Sequence, residues 1–155
     1  LVASVASVDD ETGGRRLFVR SFAESTYREI ARPLDCSGFR DPFASPVAPL
    51  LYANGLQWQD GSGNYSGVYR IQLPSGVTEL AFPGSRSTDA AGAVRRREQW
   101  ISSLHGFAAD GRRLFVTLAR TVADDAETSF AYGMCAWTPD TGAIEPVVAL
   151  PGIFF

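Results

Sequence analysis

Apolar residues fall along the chain in short runs, each cut off within a few residues by Gly, Pro, Asp or Ser. Such runs, rich in Val, Ile, Leu, Phe and Tyr, read as β-strands, whose side chains alternate faces at every residue. The pattern predicts strands at Leu1–Ser7, Arg16–Phe22, Tyr27–Pro33, Leu50–Trp58, Val68–Leu73, Val77–Phe82, Trp100–Ala108, Arg113–Ala119, Tyr132–Thr138 and Ile144–Leu150. The segments Pro74-Ser75-Gly76, Asp110-Gly111 and Pro139-Asp140-Thr141-Gly142 predict tight turns between strands. Glycine adopts positive φ there without a steric penalty, and proline presets the bend. In Arg113–Ala119, Leu114, Val116 and Leu118 fall on one face and Phe115 on the other. Apolar residues on both faces indicate a sheet covered on both sides.

Segments recur. Gly14-Arg15-Arg16-Leu17-Phe18-Val19-Arg20 nearly repeats as Gly111-Arg112-Arg113-Leu114-Phe115-Val116-Thr117. Val68–Gly76, followed by Glu79-Leu80-Ala81-Phe82-Pro83-Gly84, has a counterpart in Met134–Gly142, followed by Val147-Val148-Ala149-Leu150-Pro151-Gly152. A unit of roughly 40–45 residues with four strands is the size of a β-propeller blade. The strand, Asp-Gly turn and strand of Phe107–Val116, with the later turn Pro139–Gly142, resemble the repeats of TolB-like six-bladed β-propellers. The resemblance spans about three blades, residues 1–42, 43–84 and 98–152, with 85–97 as an insertion. It implies an all-β fold, a partial β-propeller of four-stranded antiparallel blades. A β-sandwich is the alternative. Propeller rings have about four to eight blades, so three imply another chain, a second copy or a different one, that completes the ring. The apolar Ile153-Phe154-Phe155 suits such a joint.

Composition narrows the function classes. A length of 155 residues with 45% hydrophobic and 20% charged residues is that of one globular domain. The net charge of −3 argues against nucleic acid as a partner, and no apolar run reaches the roughly 18 residues of a membrane span. All 14 cations are arginine, which excludes Schiff-base lysine chemistry and a P-loop lysine. The single histidine, His105, excludes a multi-histidine metal centre. Cys36 and Cys135 are two separately buried thiols or, in an exported protein, one long-range bridge. No cofactor is expected.

The propeller topology expected here places the short turns on one face and the long connections Gln59–Ser66, Gly84–Gln99 and Thr121–Ser129 on the other. Long loops on a rigid scaffold are where binding concentrates. That face would carry Trp58, Asp60, Asn64, Arg86, Arg95, Arg97, Asp124 and Asp125. Arg86 and Arg95–Arg97 would grip a carboxylate, phosphate or sulfated sugar with forked donors, or form a solvated face paired with Asp124, Asp125 and Glu127. Ser87 or Thr88 would cap a short helix through Asp89, Ala90, Ala91 and Val94. Asp60–Ser66 alternates oxygen ligands but lacks the further acids and closing Glu of an EF-hand, so a glycine-rich hairpin is the plainer reading. His105 and Ser103 would be triad members or structural residues, and there is no Gly-x-Ser-x-Gly elbow. The leading expectation is a binding or protein-interaction module. A hydrolase or lyase with loop carboxylates, acting on carbohydrate for example, and a structural assembly protein are the alternatives.

Overall fold

The computed structural model describes residues 3–9, 15–33, 36–59, 62–83, 85–88, 94–123 and 128–147. All regular structure among them is strand: β1 (Ala3–Asp9), β2 (Arg15–Ser21), β3 (Arg28–Glu29), β4 (Gly38–Ala44), β5 (Leu50–Gln59), β6 (Ser62–Gln72), β7 (Thr78–Phe82), β8 (Ser85–Thr88), β9 (Val94–Phe107), β10 (Leu114–Ala123), β11 (Thr128–Thr138) and β12 (Ala143–Pro146). They form a seven-stranded sheet ordered β1-β2-β4-β5-β6-β7, with β3 on β2, and a five-stranded sheet ordered β12-β11-β10-β9-β8. Every pairing is antiparallel and nearly all join sequence neighbours, as short turns require.

Two cores hold the strands. The first gathers Leu17 and Val19 of β2, Ile30, Cys36, Phe39 of β4, Leu51 and Ala53 of β5, and Tyr69 and Ile71 of β6. These strands belong to one sheet, so the sheet folds over on itself to enclose them. The fold comes at β2, which among the described residues meets β4 at Arg15 opposite Phe39 and then gives the same edge to β3. The Ile30 N–H donates to the Leu17 carbonyl at 2.8 Å and fixes the return. The second core lies between the sheets, where Tyr52 and Val68 meet Ile101, Leu104, Leu114, Val116, Cys135 and Trp137. Trp137 is fully buried, edge-on to Tyr52 and Phe82 with ring centres 6.0 and 5.7 Å apart. A buried aromatic side chain of this kind contributes roughly 1.5–3 kcal/mol from removed water alone. Leu51 and Ala53 face the first core and the intervening Tyr52 faces the second, so β5 is covered on both sides.

Every strand expected from the pattern has a counterpart, with shifted ends. Tyr27–Pro33 keeps only Arg28–Glu29 as paired strand, and the last strand starts at Ala143 and is described only to Pro146. Two strands had no signal. In β4 the Asp41-Pro42 pair reads as a breaker, but the strand takes it up in a bulge between Arg40 and Phe43, with Asp41 at φ 48°. In β8, Ser85-Arg86-Ser87-Thr88 has no apolar residue to mark it. It pairs with β9, so part of the expected insertion 85–97 belongs to the second sheet. The first sheet is continuous through the 42/43 boundary, which falls inside β4. The coarse architecture is therefore all-β with two antiparallel sheets.

Candidate functional site

The connections expected as long loops are largely strand. β5 and β6 continue to Gln59 and Ser62, β8 and β9 to Thr88 and Val94, and β10 and β11 to Ala123 and Thr128. The helix expected from Thr88 to Val94 is corrected accordingly: those two residues are opposite one another in the β8–β9 pair, and 89–93 lie outside the described residues. The three ribbons point the same way. The turn before β5 touches the β9–β10 turn, since a Cβ on Gly111 would come 2.6 Å from Val47. Strand alternation then runs the described parts of the β5–β6, β8–β9 and β10–β11 pairs toward the opposite end.

Five of the expected site residues sit at register positions on these ribbons. Trp58 is opposite Gly63, Asn64 is opposite Gln57, Arg86 is opposite Arg97, and Arg95 lies between Val94 and Arg96 on β9. Their side chains lie outside the described part of the structure. So do residues Asp60, Asp124 and Asp125 entirely, together with Ile153, Phe154 and Phe155.

The described surface offers two features that the sequence did not single out. One is the outer face of the second sheet. Leu114, Val116 and Leu118 point into the core, so Phe115, Thr117 and Ala119 fall on the opposite side of the sheet, where Ala119 is itself buried. Register sets Ala136, Met134 and Tyr132 opposite them on β11, and Gly106, Ser103 and Trp100 opposite them on β9. Tyr132 is 50% exposed, Met134 48% and Val147, whose N–H bonds the Met134 carbonyl, 43%. Trp100 and Phe115 are half-buried beside them. His105 lies at a β9 bulge on this face and shares a 2.7 Å hydrogen bond with Thr117 Oγ1, not with Ser103. Of the two readings of His105, the pairing with Ser103 is absent among the described residues, and no group of three described His, Cys, Asp or Glu side chains gathers to hold a metal.

The other feature is a groove of about 420 Å³ lined by Arg28, Arg32, Pro33, Ser75, Gly76 and Thr78, with Glu29 at its side. Arg28 donates to the carbonyls of Pro74 at 2.5 Å and Ser75 at 2.7 Å, and Arg32 to that of Ser37. Glu29 is clasped by both arms of Arg16, whose hydrogen bond chiefly holds its carboxyl below the ordinary range. No local signal marks this groove, because Arg28 and the turn at Pro74–Ser75 are far apart in the chain and meet only through the fold-over of the first sheet.

A polar latch joins the sheets beside the second core. Arg70 pairs with Glu79 across β6 and β7, bonds the Tyr52 hydroxyl and reaches Asp140 of the β11–β12 turn at 3.8 Å. Burial pushes the Tyr52 phenol up, and Arg70 opposes the shift. Half-exposed pairs of this kind contribute little to stability, so the latch sets alignment more than strength. Comparison with known proteins finds no family model, curated protein or solved structure that matches the chain.

Proposed function

We propose that the chain is a protein-interaction module, a partial β-propeller-like stack that docks a second copy of itself on the outer face of its second sheet. The carrying observation is the set of exposed apolar residues Tyr132, Met134 and Val147 on that face, which also holds half-buried Trp100 and Phe115 and the polar pair His105–Thr117. Solvated sheet faces are normally polar, and contiguous apolar surface marks an interaction site.

The internal repeat supports the reading. Met134 holds the position in its repeat that Val68 holds in the earlier one, and Val68 is fully buried under the second sheet. The position that one repeat covers with a β layer is uncovered in the next. A face of this kind meets itself about a two-fold axis, the commonest symmetry of homo-oligomers. The ribbons that carry Trp58, Asn64, Arg86, Arg95 and Arg97 project from one end of both sheets and would form a shared rim in the assembly.

Size exclusion with light scattering on the whole chain tests the reading. The expected mass is twice 16.7 kDa, and Met134→Glu with Tyr132→Glu is expected to give a folded monomer. A wild-type monomer, or a dimer indifferent to both substitutions, would overturn it. Stable association of a monomer with a different chain through this face would keep the surface and replace the partner.

A further inference from the structure

We propose that the core between the two sheets binds an internal water molecule, held by the side chains of Asn54 and Trp137. The inference uses no residue of the outer face and stands apart from the dimer reading. It starts from burial. Asn54 of β5 is fully buried, and it is the one polar side chain so placed among the described residues. Both polar atoms of its amide, Oδ1 and Nδ2, find no hydrogen-bond partner among the described residues. The same holds for Nε1 of Trp137, which is buried as completely. Exchanging the amide oxygen and nitrogen would change nothing, since both are bare. Polar groups give up hydrogen bonds to water on burial, and native cores replace nearly all of them. Three bare polar atoms in one core call for a partner that the chain itself does not supply.

The fold brings the two side chains to one patch. Leu51 and Ala53 face the first core, so Asn54 shares with Tyr52 the face of β5 turned to the second sheet. Asn54 is opposite Val68 on β6, and Val68 is opposite Phe82 on β7. Trp137 arrives from β11 of the other sheet and packs edge-on against Tyr52 and Phe82, with ring centres 6.0 and 5.7 Å away. Asn54 and Trp137 thus border the same group of Tyr52, Val68 and Phe82. The Tyr52 hydroxyl is engaged by Arg70, and Ile101, Leu104 and Val116 bring no donor or acceptor in their side chains. The donor set suits water. Trp137 Nε1 only donates, whereas Asn54 donates through Nδ2 and accepts at Oδ1. A water that accepts from the indole and bonds the amide comes close to the roughly three hydrogen bonds a buried water makes. No charged side chain belongs to this core, so an ion would have no countercharge, and a small neutral molecule that both donates and accepts is what fits. Such a water ties β5 to β11, one strand of each sheet.

Water-selective NOE and ROE NMR on the whole chain tests the site. Cross-peaks to water, with the sign of a long-lived internal molecule, are expected at both the Asn54 side-chain amide protons and the Trp137 indole proton. In Asn54→Leu, which removes two of the three polar atoms, the Trp137 cross-peak should disappear, because a water with a single partner is not retained. Tyr52→Phe should leave both cross-peaks in place, which separates a bound water from exchange relayed through the Tyr52 hydroxyl. No cross-peak at either group, a cross-peak at one alone, survival of the Trp137 signal in Asn54→Leu, or loss of both signals in a folded Tyr52→Phe would overturn the proposal. The wild-type spectrum decides the matter even if a variant does not fold.

Discussion

Asp110 shows how much a single side chain organises. One carboxylate oxygen accepts the backbone N–H groups of Arg112 at 2.9 Å and Arg113 at 3.1 Å, and the other accepts Arg113 Nε at 2.6 Å. These bonds, the Arg112 amide foremost, lower its pKa from 3.8 to about 2. A carboxyl depressed on folding stabilises the native state fully above its unfolded pKa, and the contribution fades as pH falls toward the folded one. Between about pH 4 and 2 the wild type should therefore lose stability relative to Asp110→Asn, and the Asp110 carboxyl should titrate with a midpoint near 2 by NMR. A midpoint near 3.8 would mean the turn does not hold it. The sequence marked Asp110-Gly111 as a turn, because that dipeptide has strong local chemistry. It gave no hint of Arg28, whose partners are the distant carbonyls of Pro74 and Ser75 rather than side chains.

At the scale of elements, glycine turns with the same dihedral serve different purposes. Gly111 and Gly142 have φ of 68° and 73°, yet a Cβ on Gly111 would strike Val47 at 2.6 Å and one on Gly142 would meet nothing within 4 Å. Gly142→Ala should cost about 1–2 kcal/mol, the price of the left-handed backbone alone. Gly111→Ala adds a collision between two turns and should cost more, and equal urea midpoints for the two variants would remove this distinction. Strands with alternating or continuous apolar residues were legible for the same reason that such turns were: the signal is local. β4 and β8 were not, since a bulge at Asp41-Pro42 and an all-polar edge are settled by the neighbouring strand.

For the whole molecule, the sequence conveyed an all-β chain of antiparallel strands, and the structure adds the division into two sheets and how they meet. The fold-over at β2 and the packing of the second sheet on β5 and β6 depend on contacts between distant residues, which no local pattern encodes. The same limit applies to the candidate site. Register identified the ends that Trp58, Arg86 and Arg97 occupy, but the outer face emerged only once Met134 could be seen to lack the cover that Val68 has. Alternation in Arg113–Ala119 had already separated Phe115 from its neighbours, and that was the one trace of this face in the sequence.

The two cysteines divide along the same lines. Cys36 is sealed in the first core and Cys135 in the second, neither in a disulfide, and burial pushes the Cys135 thiol up. Each thiol is a clock that starts when its own core opens to a labelling reagent. Because β5 and β6 contribute side chains to both cores, neither core can shed its central strands while the other stays shut. Mass spectrometry of native chain, with reagent concentrated enough that labelling outruns reclosing, should thus find both cysteines modified at one common rate, with few singly labelled molecules. Two separate rates would mean that the shared strands hold each core independently, and that the molecule comes apart in halves.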